Sequence, residues 1–284
     1  MRAAREALLF LALATFWGLN YPLVKVALAS VAPLQLLFLR LAIAIPSLVA
    51  LLPRSARPPA GLRINLLTAL FGALDIVAMQ ALWYSGESET SPATASIVIY
   101  TYPIIVTALG AILLGERVTR GRAAGLLLGF LGTVMIFSGG AGPADSEAYA
   151  LLLGSAISWS LATIVYRKYL RGEDFSSVNL YHMIYALPMA AALMLWEGPS
   201  AAIRWTPFAI AALALIGIPG TALAFTIYVY MYSRHEVSRV APYMFLVPAF
   251  SMVFSYAILG TTASGAELAG YSILSIGIYL SARG

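Results

Sequence analysis

The chain has 284 residues, of which 61% are hydrophobic and 10% are charged, and its mean hydropathy is +0.87. Soluble globular domains carry about 25% charged residues, so most of the surface is predicted to face lipid instead of water. The net charge of +5 comes from bases in short gaps between apolar runs, which argues against a nucleic-acid partner. The absence of cysteine excludes a disulfide framework and cysteine-based zinc sites.

Ten apolar segments have the length of a membrane-spanning helix, which is about 17–25 residues. The segments are 7–28, 33–52, 62–84, 92–114, 122–138, 148–169, 176–196, 206–231, 237–259 and 265–282. Backbone groups in lipid must be satisfied within each segment, and the sequence lacks the alternation of a membrane barrel. The predicted fold class is therefore all-α integral membrane, with ten transmembrane helices.

The first segment has one alternative interpretation, a cleaved signal peptide, because Arg2 and Arg5 precede it and 27–29 resembles a cleavage site. The apolar run is longer than the core of a signal peptide and contains Asn20 and Lys25. We interpret it as a retained first helix.

The distribution of bases predicts the orientation, because cytoplasmic loops are rich in Lys and Arg. With the N-terminus inside, the cytoplasmic side receives 14 of the 17 bases. They are Arg2, Arg5, Arg54, Arg57, Arg63, Arg117, Arg120, Arg122, Arg167, Lys168, Arg171, Arg234, Arg239 and Arg283. Both termini are therefore predicted to be cytoplasmic.

An internal repeat divides the chain into two halves, 1–140 and 141–284. A shift of 142 residues places Trp17 on Trp159 and Lys25 on Arg167. A shift of 145 gives the pairs Pro103 and Pro248, Gly115 and Gly260, Gly125 and Gly270, and Gly132 and Gly277. Five helices per half is an odd number, so the second half must enter the membrane in the opposite sense. Inverted repeats of this kind are typical of secondary transporters.

Several motifs carry a resemblance to a known family. They are "LATFWGLNYPLVKVAL", "APLQLLFLRLA" and "YPIIVTALGAILLGERVTRGRAAGLLLGFLGTVMI". Over nearly the whole chain the sequence resembles the drug/metabolite transporter superfamily in its ten-helix EamA branch, and is most similar to amino acid exporters of the YddG type. The resemblance implies two halves around a central cavity and export of small metabolites through the cytoplasmic membrane. One departure is Thr261, where the second half often repeats the acid that the first half has at Glu116.

The substrate path is predicted from aromatic and polar side chains near the middle of the segments. Tyr100 and Tyr102 precede Pro103, the proline that is expected to bend the fourth helix. Residues two apart point to different faces of a helix, which favours Tyr100 as the lining residue. Ordinary helix packing is the alternative for each member. The candidates are Trp17, Asn20, Met79, Trp83, Tyr84, Tyr100, Tyr102, Trp159, Thr163 and Tyr243, with Pro103 and Pro248 as hinges.

Arg40 and Asp75 are charges inside predicted spans, where each costs a few kcal/mol unless it is paired or hydrated. We expect a buried ion pair between them, and the alternative is that Asp75 carries a coupling proton. His182 is the repeat mate of Arg40 and is interpreted as structural.

Rival functions are less compatible with these residues. A membrane-embedded enzyme would need a nucleophile–base pair, two acids or metal ligands, and the chain has only two histidines and no P-loop. A multidrug or nucleotide-sugar exporter of the same superfamily remains an alternative. The predicted partners are a small-molecule substrate and the lipid bilayer, with no nucleic acid, cofactor or metal, and the protein is expected to act as a monomer.

Overall fold

The computed structural model of the protein describes residues 2–51, 57–90, 92–138, 146–198, 204–259 and 265–283. These residues contain helices and no strand, and the helices fall into ten stretches that we label in chain order. The stretches are α1 (Arg2–Leu28), α2 (Pro33–Leu51), α3 (Leu62–Ser88), α4 (Pro92–Ile99 and Tyr102–Leu114), α5 (Arg120–Ser138), α6 (Ser146–Leu170), α7 (Phe175–Glu197), α8 (Pro207–Arg234), α9 (Val237–Val240, Ala241–Phe245 and Leu246–Leu259) and α10 (Gly265–Arg283).

Eight of these stretches are long and apolar enough to cross a membrane. The other two are α5 and α10, and α10 contains a shorter apolar part, Ala269–Ser281. The all-helical, multi-pass membrane fold that the composition predicted is therefore confirmed. Ten crossings and the orientation of the chain stay predictions.

The most extensive contacts between helices are symmetric. When each helix of such a contact is replaced by the helix five places away in the chain, the result is again a contact that the structure contains. α1 packs against α8 and α9, and α6 packs in the same way against α3 and α4. α2 packs against α7, and α5 against α10. This pattern is what an inverted repeat predicts. The division into 1–140 and 141–284 stays a prediction.

Glycines bring α5 and α10 into backbone contact. A Cβ atom on Gly125 would lie 2.4 Å from the carbonyl oxygen of Gly277, and one on Gly132 would lie 2.7 Å from that of Gly270. Small residues at such an interface allow a close approach of helices in lipid. Two of the three glycine pairs that revealed the repeat, Gly125 with Gly270 and Gly132 with Gly277, therefore have members with a packing role. Gly260 and Thr261 lie outside the described residues, as does Arg54.

The fourth helix is interrupted at Tyr100 and Thr101, directly before Pro103. Pro103 occupies the first turn of Tyr102–Leu114, where its missing N–H group breaks no helical hydrogen bond. Its repeat mate Pro248 likewise lies in the first turn of Leu246–Leu259, after a stretch of 3₁₀ helix. The bend predicted at Pro103 is thus an interruption that precedes the proline.

Two π-helical turns occupy equivalent places in the two halves. They are Ala73–Ala78 in α3 and Ile218–Leu223 in α8, and their bounds differ by 145 residues. Each follows a glycine against which a neighbouring helix packs. A Cβ on Gly72 would lie 2.3 Å from the carbonyl oxygen of His182, and one on Gly217 would lie 2.5 Å from Cγ2 of Ile43. Single π turns widen a helix locally and are frequent at functional sites.

Candidate functional site

A central cavity lies between α1, α2, α3, α4, α6 and α8. The space open to the centre of a water molecule is about 20 Å³, and about 10–15 Å³ suffices for one water. The space is therefore far smaller than a metabolite. Its wall consists of Trp17, Asn20, Tyr21, Arg40, Met79, Gln80, Trp83, Ile99, Tyr100, Trp159 and Phe225.

Six of the residues proposed for the substrate path line this cavity. They are Trp17, Asn20, Met79, Trp83, Tyr100 and Trp159. Tyr84, Tyr102 and Thr163 are fully buried and are not among the lining residues. The Tyr84 hydroxyl donates to the side chain of Gln80, and the hydroxyls of Tyr102 and Thr163 hydrogen-bond to each other. Tyr243 does not reach the cavity, because it lies in the 3₁₀ stretch of α9 and stacks on Phe10 with ring centroids 4.4 Å apart.

Aromatic rings form most of the wall. Trp17 contacts Trp159 edge-on, with ring centroids 5.5 Å apart, and meets Phe225 at 5.4 Å. Tyr21 packs on Trp83 at 4.9 Å. Tilted and edge-on pairs of this kind are the arrangements that aromatic quadrupoles favour. The wall is thus suited to an apolar or aromatic molecule once the cavity widens.

One side of the cavity is polar and centres on Arg40. The guanidinium donates hydrogen bonds to the hydroxyls of Thr221 and Tyr84 and, at 3.0 Å, to the carbonyl oxygen of Gly220. Asn20 donates to the same carbonyl at 3.2 Å. Both side chains therefore converge on the π turn of α8.

The expected ion pair between Arg40 and Asp75 is not formed. Asp75 lies in the π turn of α3, which packs against α7, and its Oδ2 is 3.7 Å from Nε2 of His182. Arg40 instead points at α8, and no carboxylate among the described residues forms an ion pair with it. The reason is the packing of the two halves. Arg40 packs against the π turn of α8, and its repeat mate His182 packs against the π turn of α3, which contains Asp75.

A contact that we call the arginine seal closes one end of the cavity, and it consists of Arg167, Glu116 and Tyr232. Arg167 donates to the carboxylate of Glu116 at 3.3 Å and to the carbonyl oxygen of Tyr232 at 3.0 Å. Glu116 also accepts the backbone N–H groups of Val237 and Ser238, each at 2.9 Å. The carboxylate thus caps the first turn of α9, where helices favour negative charge.

Hydroxyl groups fill the space between the arginine seal and the cavity. The Tyr102 hydroxyl lies 3.0 Å from that of Thr163 and 2.8 Å from that of Tyr232. Tyr228 lies 2.8 Å from Thr163 and accepts a hydrogen bond from the indole of Trp159. The ring of Tyr102 stacks on Trp159 with centroids 3.7 Å apart. This network joins α4, α6 and α8 below the cavity.

The opposite end is closed by the lysine seal, which consists of Lys25, Glu87 and Thr90. The Lys25 ammonium donates to the carbonyl oxygens of Glu87 at 3.5 Å and Thr90 at 3.4 Å. The Glu87 carboxylate is fully buried and accepts a hydrogen bond from Trp83 at 2.5 Å. The lysine seal therefore joins α1 to the end of α3.

Sequence reasoning missed four lining residues and the composition of both seals. Gln80 and Phe225 are repeat mates at an offset of 145, and Tyr21 is the mate of Thr163 at 142. The repeat could therefore have pointed to Tyr21, whose mate Thr163 was proposed, but not to Gln80 or Phe225, because neither member of that pair was proposed. Ile99 carries no polar or aromatic signal, and nothing in the sequence distinguishes it from its apolar neighbours.

The sequence model of the EamA-like transporter family matches the chain twice, over residues 4–138 and 146–283. The chain belongs to the EamA-like transporter family. The two matches cover both groups of five helical stretches, and the family resemblance drawn from the motifs is confirmed.

Relatives within this family agree on transport. The chain is 31% identical over 282 residues to an uncharacterized transporter, YvbV, of Bacillus subtilis, covering 97% of this chain and 91% of the relative. It is 28% identical to a probable amino-acid metabolite efflux pump of Salmonella typhimurium, with coverage of 99% and 95%. A pump of the same description in Escherichia coli is 26% identical, with coverage of 99% and 95%.

A solved crystal structure has the same fold. Its TM-score to this chain is 0.81 at 19% sequence identity, and the match covers 99% of this chain and 98% of the other. Together with the helices, the family match makes this EamA protein a multi-pass transporter of the cytoplasmic membrane.

Proposed function

We propose that this protein exports amino acids with apolar or aromatic side chains by alternating access. The observation that carries the proposal is the narrow aromatic cavity between the arginine seal and the lysine seal. The amino-acid efflux pumps among the relatives support this choice of substrate. In this mechanism substrate occupies the cavity after one seal opens and leaves after the other opens.

The packing symmetry supports an inverted repeat of residues 1–140 and 141–284. In such transporters one repeat rocks against the other around a fixed central site. We propose ten spans with both termini in the cytoplasm, which puts the arginine seal at the cytoplasmic face. A reporter fused after residue 284 should be active only in the cytoplasm, and a periplasmic signal would refute this orientation.

The test of transport uses the full chain in liposomes, with counterflow measured for a panel of amino acids with and without a proton gradient. We expect counterflow of phenylalanine, leucine and similar substrates. Transport that requires the gradient would identify proton coupling, whereas equal rates would indicate facilitated export. Absence of counterflow for every amino acid would refute the proposed substrate.

Tyr100→Ala supplies the matched variant for this assay. Tyr100 is 1% exposed and lines the cavity, so its loss should weaken substrate affinity about three- to tenfold, as expected when an aromatic contact of about 0.5–1.5 kcal/mol disappears. Tyr149→Ala is the control, because Tyr149 lies in α6 and is 44% exposed. Equal affinities of the two variants would place the substrate path elsewhere.

A further inference from the structure

Arg40 is the only charged side chain among the described residues that line the central cavity. It is 1% exposed, and its three partners are two hydroxyls and a backbone carbonyl. A buried charge needs an opposite charge or water to compensate it, and these neutral partners do not neutralise it. Arg40 therefore brings to the cavity wall a positive charge whose hydrogen-bond partners are all neutral.

The guanidinium also has donors to spare. It carries five N–H groups in a planar fork, and its bonds to Thr221, Tyr84 and Gly220 use one on each nitrogen. One N–H remains on each terminal nitrogen. A carboxylate can accept both, and such paired bonds to a carboxylate are stronger than bonds between neutral groups.

Gln80 adds a second unused donor to the same side of the cavity. Its side-chain oxygen accepts a hydrogen bond from the Tyr84 hydroxyl at 3.3 Å, and Tyr84 in turn accepts one from Arg40. This chain of bonds occupies the amide oxygen and leaves the amide nitrogen without a partner, although Gln80 is fully buried. The polar side is therefore arranged to receive an acceptor group.

The described lining residues offer less to a positive group: the one side-chain acceptor among them that is buried without a hydrogen-bond partner is the amide oxygen of Asn20. No Asp or Glu is among the described residues that line the cavity. Asp75 faces His182, and the Glu87 carboxylate is held by Trp83. An ammonium group in the cavity would meet aromatic rings, the Asn20 amide oxygen and Arg40, but no carboxylate of the described lining residues.

We propose that Arg40 and Gln80 bind the carboxylate of the transported molecule, and that the site requires no α-amino group. The substrate class is then monocarboxylates with an apolar or aromatic body, of which amino acids are one member. Met79, Ile99 and the surrounding rings receive the body. This inference rests on the proposed export function and narrows it to a chemical group.

The experiment is competition against counterflow of labelled phenylalanine by the full chain in liposomes at neutral pH. The competitors share one ring and differ in their polar groups: 3-phenylpropanoate, phenylalaninamide and phenethylamine. We expect 3-phenylpropanoate to compete at least as well as unlabelled phenylalanine. The amide and the amine should compete about 10- to 100-fold less, as expected from the loss of charged hydrogen bonds.

Variants test the assigned residues. Arg40→Gln should abolish the preference for carboxylates, and Arg40→Lys should restore part of it by keeping the charge. Gln80→Met keeps the side-chain volume and removes the amide donor. Competition by 3-phenylpropanoate should therefore weaken about three- to tenfold, as expected for one lost hydrogen bond. Competition by phenethylamine should stay unchanged. This variant tests the site even where Arg40 variants do not fold. Arg63→Gln removes an exposed base at the start of α3 and serves as the control.

The outcomes separate this inference from the proposed function. If phenylalanine is transported but 3-phenylpropanoate does not compete, the amino group is required and the inference fails while amino acid export stands. Equal competition by phenethylamine and 3-phenylpropanoate would also overturn it. If phenylalanine counterflow is absent altogether, the proposed function fails and the inference fails with it.

Discussion

Lys25 and Arg167 hold equivalent places at opposite ends of the cavity, yet they close those ends differently. They are repeat mates at an offset of 142, and the carbonyls that they bind, on Glu87 and Tyr232, are mates at 145. Arg167 is 9% exposed and pairs with a buried carboxylate. Lys25 is exposed, and among the described residues it donates hydrogen bonds to two carbonyl oxygens. The repeat thus reproduces the position of the base but not its ionic partner.

The sequence explains why the partner is missing. Glu116 supplies the carboxylate of the arginine seal, and its mate in the second half is Thr261, which has no charge. Buried ion pairs respond strongly to the loss of one partner, whereas exposed pairs contribute about 0–1 kcal/mol. We therefore infer that the lysine seal opens at a lower free-energy cost than the arginine seal.

The largest effect is expected from breaking the arginine seal. Glu116→Gln removes the charge that Arg167 and the first turn of α9 share, and loss of one partner of a buried pair costs about 3–5 kcal/mol. The closed state should therefore give way to one that is open at this end. Because the chain contains no cysteine, an Ile99→Cys reporter in the cavity can be labelled selectively by an impermeant maleimide.

The labelling should accelerate at least tenfold from the face where Arg167 lies, and only there. Glu236→Gln is the matched control, since Glu236 pairs with Arg122 on the same face and its side chain is 54% exposed. Unchanged labelling of the Glu116 variant would mean that the ion pair does not hold this end closed.

The π turns give a second comparison between the halves and a smaller expected effect. Gly72→Ala sets a Cβ 2.3 Å from a backbone oxygen of His182, whereas Gly217→Ala sets one 2.5 Å from a side-chain methyl of Ile43. Overpacking costs about 1–3 kcal/mol, and a side chain can move more easily than a backbone. Gly72→Ala should therefore lower the thermal unfolding midpoint in detergent more than Gly217→Ala. The reverse order would show that the backbone of α7 at His182 moves more readily than the side chain of Ile43.

The sequence predicted the membrane fold, the family and six of the cavity-lining residues. Hydropathy, repeat spacing and the rare aromatic or polar residues of the apolar segments can all be read directly from the amino-acid sequence. It did not predict that Asp75 faces His182. That outcome depends on a π turn, which changes the face that a side chain presents and has no signature in hydrophobic periodicity. The ion pair of Arg40 and Asp75 was expected because both charges lie inside predicted spans, and that position does not fix which neighbouring helix a side chain meets.

The lysine seal provides the counterpart to the first prediction. Lys25→Met removes two long hydrogen bonds from an exposed ammonium, and the expected change in the free energy of closing is below about 1 kcal/mol. Labelling of the Ile99→Cys reporter should rise by no more than about fivefold, from the face opposite Arg167. A change as large as that of Glu116→Gln would remove the difference between the seals. Thr90→Ala leaves the accepting carbonyl in place and should behave as the parent protein.

The smallest effect is expected at the paired prolines. Pro103 and Pro248 both lie in the first turn of a helical piece, so neither replaces a hydrogen bond that alanine would restore within that turn. Pro→Ala should cost about 0.4–1 kcal/mol of stability in either half, through the greater freedom of the unfolded chain.

Transport separates the two proline positions. Tyr100 precedes Pro103 and lines the cavity, whereas Phe245, the residue at the same place before Pro248, does not. Pro103→Ala should therefore slow counterflow of phenylalanine, because its new N–H can extend the helix across the interruption at Tyr100 and Thr101. Pro248→Ala should change the unfolding midpoint equally but counterflow less. Equal slowing in both variants would show that the interruptions move together, as two copies of one hinge.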